Sequence, residues 1–303
     1  MKTASVQAAD QIEAPELSRG RFVADFSELV KARLTLLVLF TTAVGFYVGA
    51  ESPINYLALF HVVFGTASAA AGAAALNQWW ERRFDALMHR TRTRPIPAGR
   101  MRPVEAFVLG ALLSIFGVGY LAIACNTLSA VLAAITIAIY IFGYTPLKRT
   151  STANTLVGAI PGAIPPMIGW AAARGTIDAG AWSLFAILAL WQLPHFFAIA
   201  WMYRDDYSRA GFRMISNDDR SGERSASQAV FFCIMLLVVT GLPAFLGIVT
   251  MSYLPVELAL GGFFIAVAMR FLRKRTAASA RTLFITSIIY LPLLLGALVL
   301  TKL

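Results

Sequence analysis

Long apolar runs alternate with short polar segments along most of this 303-residue chain. A run of about 18 or more apolar residues can cross a bilayer as a helix. The runs are continuously apolar, whereas the strands of a membrane barrel alternate with a period of two, so the pattern predicts an all-α, polytopic membrane protein. The nine predicted spans are approximately residues 33–50, 57–77, 104–124, 127–145, 154–173, 181–202, 228–250, 254–272 and 283–301.

The composition agrees with this interpretation. Hydrophobic residues make up 58% of the chain and charged residues 14%, against about 45–50% and about 25% in soluble proteins. Cys125 and Cys233 lie in different apolar segments, so no disulfide framework is expected. A net charge of +10 would suggest a nucleic-acid partner for a soluble protein. In a membrane protein topology explains such an excess first, and no nucleic-acid partner is expected.

The basic residues fall almost entirely on one side of the predicted spans. That side receives 24 Lys and Arg residues, and the other side receives only Arg174 and Lys302. Because cytoplasmic loops carry the excess of basic residues, the charged side is predicted to be cytoplasmic. The N-terminus and the long polar loops are therefore expected in the cytoplasm, and the C-terminus in the periplasm.

The N-terminal segment differs from the rest of the chain. Residues 1–27 are expected to form a mobile cytoplasmic tail and an interfacial segment, followed by a single transmembrane domain over residues 28–303. The segment lacks a signal-peptide pattern, and Asp10, Glu13 and Glu16 are unusual in a mitochondrial transit peptide. A bacterial inner membrane is therefore the expected location.

The first long loop begins with oxygen-bearing side chains at helical spacing. Asn77, Glu81 and Asp85 stand at positions i, i+4 and i+8, so a helix places them on one face. Oxygen ligands suit Mg²⁺, which commonly bridges carboxylates and substrate phosphates. Arg90 and Arg94 follow, and their guanidinium groups can grip phosphate oxygens. The arrangement suggests a metal–diphosphate site, although spacing alone leaves open that the acids only neutralise neighbouring arginines.

Two further charged segments lie on the same side. Asp205 and Asp206 follow span six beside Arg204, and Tyr144 and Lys148 stand four residues apart after span four. Taken alone, the second pair is better explained as an interfacial anchor. Together the clusters flank a bundle large enough for an apolar molecule, so a substrate with a diphosphate head and a long hydrocarbon tail would match them.

These residues resemble a known family. The series Asn77-x-x-x-Glu81-x-x-x-Asp85, followed by Arg90 and by Arg94-Pro95, is similar to the first motif of the UbiA superfamily of intramembrane prenyltransferases. The residues within this motif resemble those of the branch of the superfamily that farnesylates protohaem IX. The resemblance covers about residues 28–300, and further matching segments are residues 144–149, 161–166, 169–170, 191–196 and 206–211.

The resemblance implies a fold and a reaction. The fold would be nine transmembrane helices around a central cavity capped by cytoplasmic loops. The reaction would join farnesyl diphosphate and water to the 2-vinyl group of haem b, giving haem O and diphosphate. A haem A synthase or an oxidase-assembly factor would be a possible protein partner, and membrane lipid would surround the helices.

The resemblance also implies roles for individual residues. Mg²⁺ would be the cofactor. Tyr203 stands where the superfamily's second motif usually has its first acid. This departure leaves the ligands of a second metal ion open. The expected metal and catalytic residues are Asn77, Glu81, Asp85, Asp205 and Asp206. The expected diphosphate-binding residues are Arg33, Arg90, Arg94, Tyr144, Lys148 and Arg204.

His195 lies inside the sixth predicted span. Ionisable residues within a membrane are functional candidates by default, and a neutral imidazole can ligate haem iron. The alternative is a hydrogen-bonded packing residue. The family motif over residues 191–196 favours haem binding.

Two other functions remain open at this point. A UbiA-type prenyltransferase that acts on a quinone precursor or another aromatic acceptor would share the fold and the metal chemistry. A membrane transporter is a different class, but the middles of the spans lack the acidic residues that proton or cation coupling requires.

Overall fold

The structure is a computed structural model that describes residues 19–303. Nine of the described segments are long and apolar enough to span a membrane, which confirms the predicted spans. The greater part of the predicted N-terminal tail, residues 1–18, lies outside the described residues. The helices are α1 Arg19–Leu29, α2 Ala32–Gly49, α3 Tyr56–Asp85, α4 Pro103–Ala124, α5 Thr127–Ala138, α6 Thr145–Leu147, α7 Asn154–Ala163, α8 Pro165–Arg174, α9 Ala179–Met202, α10 Arg204–Arg209, α11 Glu223–Thr240, α12 Leu242–Phe245, α13 Tyr253–Lys274 and α14 Ala277–Leu300.

Helix α3 is longer than the apolar run that predicted it. Its 30 residues span roughly 45 Å at about 1.5 Å per residue, whereas the hydrocarbon layer is about 30 Å thick. The polar segment from Asn77 to Asp85 continues the helix because it contains no glycine or proline. The first motif is therefore carried on a rigid helical extension.

Prolines interrupt two of the spans. A π-helix over Ile139–Tyr144 follows α5, and the N–H of Thr145 bonds to the carbonyl of Tyr140. Pro146 comes next, and a proline cannot donate the usual helical hydrogen bond. In the fifth span, Pro165 and Pro166 begin α8 directly after the bend at Ile164.

Helices α3 and α4 pack through small side chains. A Cβ atom on Gly72 would lie 2.5 Å from the backbone nitrogen of Ser114, and one on Gly117 would overlap the backbone of Ala69. Because lipid is as apolar as the helices, close backbone approach through small residues is a main source of helix association in membranes. The small residues therefore hold α3 in a fixed position.

Helix α1 is attached to the motif-bearing end of the bundle. The Nε2 atom of Gln78 donates to the carbonyls of Glu28 and Leu29, each at 2.8 Å. Arg100 pairs with Asp25 at 2.8 Å. The chain then turns into α2 through Lys31, which has a left-handed φ of 49°. These contacts fix the place from which the Lys31 side chain reaches the motif.

At the opposite end, two basic side chains cap the C-terminus of α2. Arg174 Nε donates to the carbonyl of Gly49 at 2.6 Å. Lys302 Nζ donates to the carbonyl of Tyr47 at 2.7 Å and also to that of Ala50. Cations are favourable there because the last carbonyls of a helix lack partners and carry partial negative charge.

Candidate active site

The three oxygen-bearing residues of the first motif lie on one buried face of α3. Asn77, Glu81 and Asp85 have exposed fractions of 0%, 4% and 1%. Their spacing predicted a shared face, and the structure places them on it. Buried carboxylates need charged or hydrogen-bonding partners, because burial without them is costly.

Each of the three residues contacts a cation from a different part of the chain. Lys31 Nζ lies 2.7 Å from Asn77 Oδ1, Lys148 Nζ lies 2.6 Å from Glu81 Oε1, and Arg94 Nη1 lies 2.7 Å from Asp85 Oδ2. The adjacent arginines of the helix are not the partners. We call these six residues the acid–cation cluster.

Two tyrosines from the π-helix complete one side of the cluster. Lys31 Nζ donates to Tyr140 Oη at 3.1 Å, and that hydroxyl donates to Asn77 Oδ1 at 3.3 Å. Tyr144 lies beneath Lys148, whose Nζ is 4.5 Å from the ring centroid. A Cβ atom on Gly158 would lie 2.6 Å from the Tyr144 ring, so the glycine leaves room for that ring.

The two lysines of the cluster have opposite electrostatic settings. Burial alone lowers the pKa of Lys148, but the Glu81 carboxylate outweighs burial and the net pKa is raised. Lys31 has an amide as its close partner instead of a carboxylate. Burial, followed by repulsion from Arg94, lowers the pKa of Lys31 to about 7. Among the described residues, Lys31 therefore has an amide oxygen and a hydroxyl as close partners and no carboxylate.

The oxygen set fits a divalent metal. Asp85 Oδ1 is buried and has no hydrogen-bond partner among residues 19–303, although the other oxygen of that carboxylate is paired with Arg94. An orphaned carboxylate oxygen beside an amide oxygen and a second carboxylate is a donor set that Mg²⁺ accepts. The proposed metal ligands are two carboxylates and one amide. Within residues 19–303, no group of three His, Cys, Asp or Glu side chains could hold a metal ion.

The second acidic segment plays a different part in this structure. Asp206 accepts hydrogen bonds from the backbone N–H groups of His89 and Arg90, each at 3.3 Å, and from Arg209 at 2.8 Å. Burial raises the pKa of Asp206, but these hydrogen bonds outweigh it and the net pKa is lowered. The Asp206 side chain therefore joins the second acidic segment to the backbone of the first motif loop.

Asp205 and Arg204 lie outside the cluster. The Asp205 side chain is 90% exposed, and its nearest cation is Arg204 at 3.8 Å. The Arg204 guanidinium stacks over Trp201, with 4.3 Å to the ring centroid. The sequence predicted Asp205 as a metal ligand and Arg204 as a diphosphate contact. The structure does not bring either residue to the buried oxygens of the acid–cation cluster.

Two other predicted diphosphate contacts are also exposed. Arg33 lies on the exposed surface of α2, and no hydrogen bond or ion pair joins it to the cluster in the described part of the chain. Arg90 stacks over Tyr203, with 5.3 Å to the ring centroid. Lys31, two residues before Arg33, is the cation that enters the cluster. Its signal in the sequence was a lysine at the start of the first span, two residues before Arg33.

His195 lies on α9, and its side chain contacts α14. Its Nδ1 atom is 2.7 Å from Ser287 Oγ, and its ring stacks on Trp191 with centroids 5.3 Å apart. Only Nδ1 is hydrogen-bonded to protein among the described residues, so Nε2 is the nitrogen left for a ligand. The hydrogen bond to Ser287 holds the ring in one orientation.

Comparisons with known sequences identify relatives along nearly the whole chain. The sequence profile described as the UbiA prenyltransferase family matches residues 38–291. A protein of Solibacter usitatus named "Protoheme IX farnesyltransferase" is 45% identical over 287 residues, which are 92% of this chain and 98% of that protein. The human "Protoheme IX farnesyltransferase, mitochondrial" is 39% identical over 269 residues, which are 89% of this chain and 60% of that protein.

Solved structures share the fold. A structure described under digeranylgeranylglyceryl phosphate synthase has a TM-score of 0.76 and 17% identity, covering 92% of this chain and 98% of the other. A UbiA homolog from Archaeoglobus fulgidus bound to GPP and Mg²⁺ has a TM-score of 0.63 and 14% identity, covering 90% and 99%. The predicted helical fold is thereby confirmed. This chain is an integral, multi-pass membrane protein that belongs to the UbiA prenyltransferase family.

Proposed function

We infer that the chain transfers the farnesyl group of farnesyl diphosphate, with addition of water, to the 2-vinyl group of haem b. The products are haem O and diphosphate. The observation that carries this function is the relationship, at 38–45% identity over most of the chain, to proteins named protoheme IX farnesyltransferase. The buried acid–cation cluster at one end of an apolar bundle supports it, because it suits a diphosphate head with a hydrocarbon tail.

Asn77, Glu81 and Asp85 would hold Mg²⁺. The support is the orphaned Asp85 Oδ1 and the Mg²⁺ and prenyl diphosphate in the solved UbiA homologs. When bound, the metal supplies positive charge that stabilises the departing diphosphate.

The cations of the cluster would bind the diphosphate itself. Lys31, Lys148 and Arg94 contact the three residues that would hold the metal, and Arg94 uses Oδ2 of Asp85, which leaves the orphaned Oδ1 for the metal. Held beside the proposed metal ligands, these three cations would donate hydrogen bonds to the phosphate oxygens of the substrate. Donors held in place before the reaction stabilise developing negative charge without reorganisation.

The reaction needs no general base to activate the acceptor. The bond between C1 of the farnesyl group and the diphosphate oxygen breaks, and its electron pair leaves with diphosphate. The vinyl group supplies the electron pair for the new carbon–carbon bond, which leaves a cation next to the porphyrin ring. Water adds to that carbon and releases one proton. His195 is the proposed ligand that positions the haem.

Asp85→Asn tests the metal–diphosphate assignment. Detergent-purified protein would be incubated with farnesyl diphosphate, Mg²⁺ and haem b, and porphyrins analysed by mass spectrometry. We expect at least about a 100-fold loss of haem O formation with normal membrane insertion, because the substitution removes the charge of a proposed metal ligand. Asp205→Asn is the matched control and should keep near-normal activity, since Asp205 is exposed. Full activity of Asp85→Asn would contradict the assignment.

The same assay distinguishes the proposed function from the two alternatives. A prenyltransferase for an aromatic quinone precursor would leave haem b unchanged and prenylate that acceptor. A transporter would form no covalent product. Formation of haem O from purified protein supports the proposed acceptor and excludes both alternatives.

A further inference from the structure

A groove of about 720 Å³ lies beside the cytoplasmic extension of α3. Its apolar walls are Trp80, Phe84 and Pro146, and its charges are Arg82, Arg83 and Arg149. We call it the arginine groove. Neither the family motifs nor the proposed reaction assigns it a role.

The three guanidinium groups have no acidic partners. Within residues 19–303, no carboxylate forms an ion pair with Arg82, Arg83 or Arg149. Arg82 donates to the carbonyl of Trp79 at 2.6 Å. Arg149 lies over the Phe84 ring, 4.6 Å from its centroid. Three like charges around one groove repel each other, so an anion there would be strongly favoured.

The groove is separate from the acid–cation cluster. Glu81 and Asp85 lie on the buried face of α3 and are already paired with Lys148 and Arg94. Phe84 borders the groove, and its ring packs against Phe212 at 5.7 Å. Lys148 of the cluster lies over that Phe212 ring, with Nζ 5.7 Å from the centroid, so two aromatic rings stand between the regions. Anion binding in the groove would therefore not require the diphosphate-binding cations.

Aromatic residues mark the depth of the groove. Trp80 is 37% exposed and packs edge-on against Phe142, which is 70% exposed, with ring centroids 6.2 Å apart. Exposed tryptophans of membrane proteins concentrate at the level of the lipid headgroups. The groove also lies where α3 extends beyond the length needed to cross the hydrocarbon layer. It therefore faces the headgroup region.

We propose that the arginine groove binds the phosphate of an anionic phospholipid. Arginine forks form strong charge-assisted hydrogen bonds with phosphate oxygens. Basic pockets between transmembrane helices on the cytoplasmic side are suited to anionic lipid headgroups. The Trp80 and Phe84 rings supply an apolar wall for the beginning of an acyl chain. This site is additional to the proposed prenyl transfer.

The double variant Arg83→Gln/Arg149→Gln tests the proposal. The delipidated, detergent-purified chain would be titrated with phosphatidylglycerol and with phosphatidylcholine, and bound lipid counted by native mass spectrometry. We expect about a tenfold loss of phosphatidylglycerol affinity, because two phosphate-facing charges are removed. Phosphatidylcholine binding should not change. Arg273→Gln/Lys274→Gln removes the same charge from the exposed end of α13 and serves as the matched control.

Several outcomes would overturn the proposal. Unchanged phosphatidylglycerol affinity in the groove variant would do so, and so would an equal loss in the α13 control. Loss of haem b affinity with normal lipid binding would assign the groove to the haem carboxylates instead. Asp85→Asn should bind phosphatidylglycerol normally, so a failure of the lipid site is distinguishable from a failure of the proposed reaction.

Discussion

At the scale of single residues, the pair of Lys148 and Glu81 dominates the electrostatics of the cluster. Both side chains are nearly inaccessible to water, and their charged atoms are 2.6 Å apart. A buried ion pair is stable only while both partners are present, because an unpaired buried charge keeps its full desolvation cost. The pair thus couples the stability of the bundle to the first motif.

Lys148→Met should therefore destabilise the protein by about 3–5 kcal/mol, because Glu81 is left charged and unpaired. Adding Glu81→Gln removes the stranded charge and should recover part of that loss. Thermal unfolding of the purified wild type, both single variants and the double variant would measure the coupling. Strictly additive effects in this double-mutant cycle would contradict a direct interaction.

His195 allows a second test at this scale. His195→Ala should lower haem b affinity by more than about tenfold. Losing a group that only orients a metal ligand already costs about tenfold, and His195 is proposed as the ligand itself. Optical titration of the purified variant with haem b would measure the loss. His61→Ala is the control. Like His195, His61 lies in a membrane-spanning helix and is hydrogen-bonded to a hydroxyl group, in this case that of Tyr120. Unchanged haem affinity and turnover in His195→Ala would contradict iron ligation.

The sequence predicted the oxygens of the cluster better than their partners. Helical periodicity alone places Asn77, Glu81 and Asp85 on one face. Lys31 is 46 residues away from Asn77, and Lys148 is 67 residues away from Glu81. Such contacts depend on how α1, α3 and α6 pack, which no local pattern encodes. For the same reason, Arg33 and Lys31 could not be distinguished from spacing.

At the scale of helices, the close packing of α3 against α4 sets the position of the motif. Gly117→Ala adds a Cβ atom that overlaps the Ala69 backbone, so the helices must separate. We expect a destabilisation of about 1–3 kcal/mol, which is typical of overpacking. Gly119→Ala, two residues along α4, meets no atom within 4 Å and should be neutral. Equal unfolding temperatures for the two variants would contradict this account.

The apolar pattern predicted which segments span the membrane but not where their helices end. Mean apolarity falls at Asn77, so the second span was predicted to stop there, yet α3 continues to Asp85. The π-helix before Pro146 was likewise not predicted. Both features depend on backbone hydrogen bonds in polar or proline-containing segments. They matter because the extension carries Glu81 and the π-helix carries Tyr140.

At the scale of the whole molecule, the distribution of basic residues predicts an orientation. The loop at Gly222 should be cytoplasmic and the loop at Gly175 periplasmic. Alkaline phosphatase fused after Gly175 should be active, and the same enzyme fused after Gly222 should be inactive. Green fluorescent protein fused at the same two positions should give the reciprocal result and is the control. The opposite pattern in both reporters would reverse the proposed topology.

The family and its fold could be predicted because several motifs occur in the correct order along the chain. The match over residues 38–291 confirms that prediction. The second motif behaves differently from the expectation: Asp206 holds backbone N–H groups, and Asp205 is exposed. Spacing shows that acids follow a span, but the loop conformation decides where they point.

The caps at the end of α2 give Arg174 and Lys302 a structural role besides their place in the charge distribution. Arg174 and Lys302 are the only basic residues on their side by sequence, and both bind carbonyls of one helix end. The partial negative charge of that helix end therefore favours both cations, and Arg174 also pairs with Asp178 at 3.7 Å. Lys302 follows Tyr47 by 255 residues. During synthesis, the hydrogen bonds from Lys302 to this helix end can therefore form only after all the later spans have been made.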